Sequence, residues 1–251
     1  MKAIRFILRL VALLLALFLI FPFVILLISV ALKYNNRNLN KKVVNGWSKI
    51  LCYICGLKLI LRGSIQKNPV FIVANHVTWL DIPVIHSFKL AGFVAKEEIS
   101  RWPILGKAIK SGETLFIKRG EQESRKEVLE KIEERLRQKR SIAVFPEGKV
   151  TNGDHLGRFH RQLMQAAVET QTPIQAIAIK YLNKDNTRNK NVCFLNDEKF
   201  VINVFRIISL PTSTVEVTFC EPIETSLISA RQVALLSHNQ VAEILAENDY
   251  L

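Results

Sequence analysis

Residues 70 to 81 read VFIVANHVTWLD: five apolar residues of strand length run straight into Asn75 and His76, and an acid, Asp81, follows five residues after the histidine. One continuous helix would hold His76 and Asp81 roughly 140° apart, so they could not cooperate on it. A strand ending at Ala74, a turn carrying Asn75 and His76, and a helix starting near Thr78 would instead fold Asp81 back toward the imidazole. Asp81 could then accept one ring N–H and leave the other nitrogen as a base. Taken alone, the pair reads first as a satisfied turn histidine beside an acid at a helix N-terminus.

The rest of the chain repeats that strand-then-polar-turn pattern. Apolar runs at Val70 to Ala74, Thr114 to Ile117, Ile142 to Phe145, Ile174 to Ile179 and Val215 to Phe219 alternate with helical patterns. This predicts a single layered α/β domain built on a mixed sheet. The clearest helix spans 121–140, where Val128, Leu129, Ile132 and Leu136 form one apolar stripe, with acids crowding its start and bases its end as the helix dipole prefers. Further helices are predicted from Phe159 to Thr170 and from Arg231 to Glu247, and a loop from Asn183 to Asn191.

Upstream, Leu10 to Leu32 runs without a charge, against roughly 20 apolar residues needed to cross a bilayer core. That is too long for a signal-peptide core, and it ends in Lys33 rather than at a small-residue cleavage site. Pro22 divides it, giving either one kinked helix or two shorter helices that enter and leave one leaflet. Residues 1–42 are therefore the expected membrane anchor, and 43–251 the folded domain.

Charge supports the division. Of the 35 Lys and Arg, 11 lie in residues 1 to 80, where there is no acid; the other 171 residues hold 24 basic and 22 acidic side chains. The excess beside the apolar run points to anionic lipid headgroups. A nucleic-acid partner is excluded, because it would require the excess on the folded body together with a reading element. Cys52 and Cys55 have metal-like spacing but no second ligand pair, and their apolar neighbours predict buried thiols.

Three more segments place polar residues at strand ends, where loops carry function. GETLFIKRG runs a strand into Lys118 and Arg119, and Arg offers a rigid fork of donors suited to phosphate. SIAVFPEG closes a strand with Pro146, Glu147 and Gly148, the glycine permitting the positive φ of a tight turn. TPIQAIAI opens another strand with Pro173, a loop-shaping residue.

In this order, NHVTWLD, GETLFIKR, FPEG and TPIQAIAI resemble the four sequence blocks of the glycerolipid acyltransferases of the lysophosphatidic acid acyltransferase type. The resemblance spans about residues 70 to 180. It implies direct transfer of an acyl chain from coenzyme A or acyl carrier protein to a lysophospholipid hydroxyl. No cofactor, metal or covalent enzyme intermediate is implied, and the chain contains no G-x-S-x-G nucleophile signature. His76 would be the base and Asp81 its orienting acid. Arg119, with Lys118, would hold the acceptor's phosphate. Glu147, Gly148, Lys149 and Thr151 would shape the acceptor site, and Pro173 would support the acyl-donor region. The expected location is the cytoplasmic face of a bacterial inner membrane.

One departure bears on the acceptor. Where the family often continues Glu-Gly with Thr-Arg-Ser, this chain reads Glu147-Gly148-Lys149-Val150-Thr151, so Val150 replaces a phosphate-binding arginine. The continuation KVTNG…FHRQLMQAA is similar to members that acylate other lysolipids, lyso-ornithine lipid among them. The competing functions are a non-catalytic lipid-binding protein and a thioester hydrolase that uses the same pair on water.

Overall fold

The computed structural model describes residues 2–67, 69–97, 100, 113–117, 122–195 and 198–246. Among them, seven strands form one mixed sheet: β1 (Leu57–Gly63), β2 (Phe71–Ala74), β3 (Gly92–Lys96), β4 (Leu115–Ile117), β5 (Ile142–Val144), β6 (Ile174–Leu182) and β7 (Ser213–Phe219), in the order β1-β7-β6-β2-β5-β3-β4. The five strands β2 to β6 run parallel, while β7 runs against β6 and carries β1 with it at the edge. β2 sits between β5 and β6, and all four of its side chains are buried. Its uninterrupted apolar run is what a parallel strand covered on both faces requires.

The helices are α1 (Lys2–Leu15), α2 (Phe21–Lys33), α3 (Arg37–Ile54), α4 (Asp81–His86), α5 (Gln122–Arg137), α6 (Gln165–Glu169), α7 (Phe200–Ser209) and α8 (Ala230–Ala246). One face of the sheet buries Ile72, Ala74 and Val217 with Cys52 of α3, Val84 and Ile85 of α4, and Ile207 and Ile208 of α7. The other buries Phe71, Val73 and Val144 with Ile132 of α5, Ala166 of α6 and Val233 of α8. The alternation of Phe71, Ile72, Val73 and Ala74 between the two cores is the period of two that a strand imposes.

Several sequence expectations need correcting. The helix after NHVTWLD begins at Asp81 itself, not near Thr78. The 159–170 helix shortens to a 3₁₀ turn, Arg161–Met164, followed by α6. Residues 37–54, for which no element was predicted, form α3. The buried stripe of α3 is Asn40, Val44, Ser48 and Cys52, at a spacing of four, but half of it is polar. That removed the apolar periodicity that would have announced the helix.

The N-terminal run is one helical rod, Lys2–Lys33, long and apolar enough to cross a membrane, and less than a third of its most apolar stretch is buried, far too little for a core helix. A π-helical stretch, Ala16–Ile20, precedes Pro22. It accommodates the proline, whose ring would otherwise meet the carbonyl four residues back and which has no N–H to donate. Arg5 and Arg9, part of the basic excess beside the apolar run, cap the end of α7. Arg5 donates to the Ser209 carbonyl at 2.8 and 3.0 Å, and Arg9 to the Leu210 carbonyl at 2.7 Å. Cations at carbonyls left over at a helix C-terminus are favourable. Arg9 also covers Gly56, whose φ is +78° and where a Cβ would stand 2.1 Å from Arg9 Nη2.

Candidate active site

Because β2 and β5 are parallel neighbours, the turns that follow them emerge together at one edge of the sheet. Loops at the carboxyl ends of parallel strands are where open α/β sheets place their sites. Asn75 fixes the first turn. Its side chain accepts the Ile179 N–H at 2.8 Å and donates to the Ile179 carbonyl at 3.1 Å, prolonging the β2–β6 ladder by one side chain.

The next residue is His76. Its Nδ1 lies 2.8 Å from Asp81 Oδ2. The same oxygen accepts the backbone N–H groups of Val77 at 2.8 Å and Thr78 at 3.0 Å, while Oδ1 accepts the Tyr181 hydroxyl at 2.7 Å. Asp81 is wholly buried, yet its carboxylate accepts four donors, which offset the cost of removing it from water. An acceptor-only carboxylate fixes the proton on Nδ1 and leaves Nε2 as the acceptor. Among the described residues Nε2 has no hydrogen-bond partner, and 14% of the His76 side chain is exposed. The ring is held flat on Phe145, with centroids 3.8 Å apart and planes 8° from parallel.

The FPEG turn supports this loop from beneath. Glu147 Oε1 accepts the backbone N–H of His76 at 2.8 Å, and Oε2 accepts that of Gly157 at 2.8 Å. Burial pushes the Glu147 carboxyl above the ordinary carboxylate range, and the two backbone donors together with His76 oppose that shift. Gly148 turns the chain at a φ of +75°, its N–H donating to the Phe145 carbonyl at 3.0 Å. Thr151 then donates its N–H to the His76 carbonyl at 2.9 Å. Lys149 is exposed between these two residues.

The structure thus brings together His76, Asp81, Glu147, Gly148, Lys149 and Thr151. Pro173 is elsewhere: its carbonyl accepts the Phe71 N–H at 2.9 Å, placing it at the start of β2 and β6, a full strand length from His76. β4 leads to the same sheet edge as β2 and β5, but Lys118 and Arg119, which follow it, lie outside the described residues. Tyr181 and Phe145 were missed by sequence reasoning. Tyr181 offers only a weak cue, a phenol in a wholly buried strand, where a hydroxyl requires a partner. Cys52 and Cys55 are buried free thiols, the Cys52 thiol pushed up to about 12 by burial. Among the described residues no group of three His, Cys, Asp or Glu side chains could hold a metal ion.

Comparison with known proteins gives consistent results. Residues 57–180, from β1 into β6, match the family described as Acyltransferase. The lyso-ornithine lipid O-acyltransferase of Pseudomonas aeruginosa is 30% identical over 196 residues, covering 78% of this chain and 75% of that protein. The 1-acyl-sn-glycerol-3-phosphate acyltransferase of Neisseria gonorrhoeae is 30% identical over 164 residues, 65% of this chain and 64% of that one. The crystal structure of the 1-acyl-sn-glycerophosphate acyltransferase from Thermotoga maritima matches with a TM-score of 0.70 over 98% of this chain and 99% of that one. At 19% identity, that match is a likeness of fold.

Proposed function

The chain belongs to the acyltransferase family of glycerolipid acyltransferases, and on that premise we propose that it moves a fatty acyl chain from an acyl thioester to a lysolipid hydroxyl, with His76 as general base. The observation that carries this reading is the imidazole oriented by a fully hydrogen-bonded buried carboxylate, with Nε2 left unpartnered among the described residues. The acceptor hydroxyl donates to Nε2 and passes its proton there as its oxygen attacks the thioester carbonyl. The tetrahedral intermediate collapses, the carbon–sulfur bond breaks, and the thiolate of coenzyme A or acyl carrier protein leaves with the proton returned from the imidazolium. Asp81 stabilises the imidazolium while it exists.

Glu147 is in this reading a positioning residue, since both its oxygens are engaged by backbone N–H groups that hold the His76 turn against the FPEG turn. Gly148, Lys149 and Thr151 border the acceptor site, and Arg119, with Lys118, supplies cationic charge for the acceptor headgroup. Pro173 starts β6. The rod Lys2–Lys33 anchors the protein to the cytoplasmic face of a bacterial inner membrane. Residues 1–42 form the anchor and 43–251 the catalytic domain, with α3 shared between them.

The first acceptor is 1-acyl-glycerol-3-phosphate, giving phosphatidic acid. Val150, standing where a phosphate-binding arginine is expected, and the Pseudomonas relative favour a second reading, lyso-ornithine lipid. The test is to offer purified protein a panel of lysolipids with acyl-coenzyme A and acyl carrier protein donors, and to measure the diacyl product. Preferred consumption of one lysolipid supports the proposal. Release of free fatty acid at one rate with and without lysolipid identifies a hydrolase instead.

A further inference from the structure

α7 has two unlike faces. Inward, Asn203, Ile207 and Ile208 are buried; outward, Val201, Ile202 and Phe205 are 55%, 54% and 45% exposed. Three large apolar side chains on one exposed helical face need a partner. Their neighbour identifies it. α7 packs along α1, with Phe6 and Phe205 edge to face at 5.8 Å and Arg5 and Arg9 holding the last carbonyls of α7. The exposed face of α7 therefore continues that of α1, where Ile4, Ile7, Leu8 and Val11 are also exposed.

Ten residues rise about 15 Å, half a bilayer core, so α7 is too short to span and suited to lie in the interface plane. It contains no acid, and exposed Lys199 precedes it. Its inner face reaches the site. Asn203 Oδ1 accepts the Trp79 indole N–H at 3.0 Å, and Phe200 meets the Trp79 ring at 5.4 Å. Trp79 is in NHVTWLD, two residues before Asp81.

We propose that α7 is a second membrane-binding element, an interfacial helix whose Val201, Ile202 and Phe205 enter the leaflet occupied by the N-terminal rod and hold the His76–Asp81 loop at the bilayer surface. The inference adds a contact to the anchor in the proposed function and rests on the rod being in lipid.

The experiment uses the full chain in phospholipid vesicles. In a Cys220→Ala background, which removes the one native thiol that is not buried, an environment-sensitive fluorophore is attached to Ile202→Cys. Two reference probes occupy Leu19→Cys in the rod and Leu236→Cys on α8, in the layer across the sheet. Lipids spin-labelled on the acyl chain are the quencher. The expected result is a blue-shifted emission at 202, quenched comparably to that at 19, with 236 unquenched. A 202 probe that behaves like 236 while 19 is quenched overturns the inference. So does a blue shift without lipid quenching, which marks a protein partner or a second copy. Quenching at neither 19 nor 202 overturns both the inference and the anchor reading, and leaves the acyltransferase assay in solution as a separate question.

Discussion

Glu147 Oε1 accepts the backbone N–H of His76 at 2.8 Å across 71 residues of chain, so the FPEG turn and the NHVTWLD turn are one structure at the histidine. Glu147→Gln keeps one acceptor and turns an amide NH₂ toward the other backbone N–H. The variant should lose about 1–3 kcal/mol of stability, the cost of a buried donor left without a partner. Turnover should fall more than lysolipid KM rises, since the histidine shifts while the acceptor contacts stay. The carboxyl's raised value also fixes a sign. The folded state holds this proton more tightly than the unfolded one, so Glu147's contribution to stability is complete below the unfolded value of about 4.3 and is lost as pH rises through the higher folded value. Urea melts should show wild type declining relative to Glu147→Gln across that window. A constant difference contradicts the assignment.

Tyr181→Phe removes one of the four donors on Asp81 and leaves the ring in place. Stability should drop by about 0.5–1.5 kcal/mol, the usual net worth of one hydrogen bond. Turnover should fall several-fold, with both KM values unchanged, because the phenol reaches the base through Asp81. A rise in KM for either substrate would show that Tyr181 touches substrate.

Val150→Arg restores the residue that the resemblance places in the phosphate site. The ratio of kcat/KM for 1-acyl-glycerol-3-phosphate over lyso-ornithine lipid should increase by about tenfold or more, as a charge-assisted bond worth about 1.5–3 kcal/mol allows. An unchanged ratio places residue 150 outside headgroup recognition.

Arg9→Ala strips the guanidinium from the end of α7 and from over Gly56. Thermal unfolding in detergent should reveal a loss of about 1–2 kcal/mol. An unaltered melting temperature would mean that the N-terminal rod tethers the domain without bracing it. For the same reason, deleting residues 1 to about 40 should destabilise the domain as well as release it from membranes.

The parts of this molecule that could be read from sequence are those whose signal is local. β2, β5 and β6 announce themselves as apolar runs, α5 by its stripe and charge gradient, and His76 and Asp81 by lying in one turn. What escaped reading depends on distance along the chain. Tyr181 reaches Asp81 from 100 residues away, and Glu147 shapes a turn that no spacing rule connects to it. α3 was missed because Asn40 and Ser48 occupy half of its buried stripe. No local pattern announces the bonds of Arg5 and Arg9, because their acceptors, carbonyls of residues 208–210, are brought to them only by folding. The blocks NHVTWLD and FPEG marked the candidate site in sequence, but the hydrogen bonds that join them arise only in the fold.

The central claim is that His76 takes the acceptor's proton, and the direct measurement is the rate of diacyl-lipid formation by purified His76→Ala under saturating lysolipid and donor. Loss of general-base catalysis should lower that rate by about 10²–10⁴-fold, with the melting temperature close to wild type. A folded His76→Ala protein that acylates lysolipid at the wild-type rate would contradict the account.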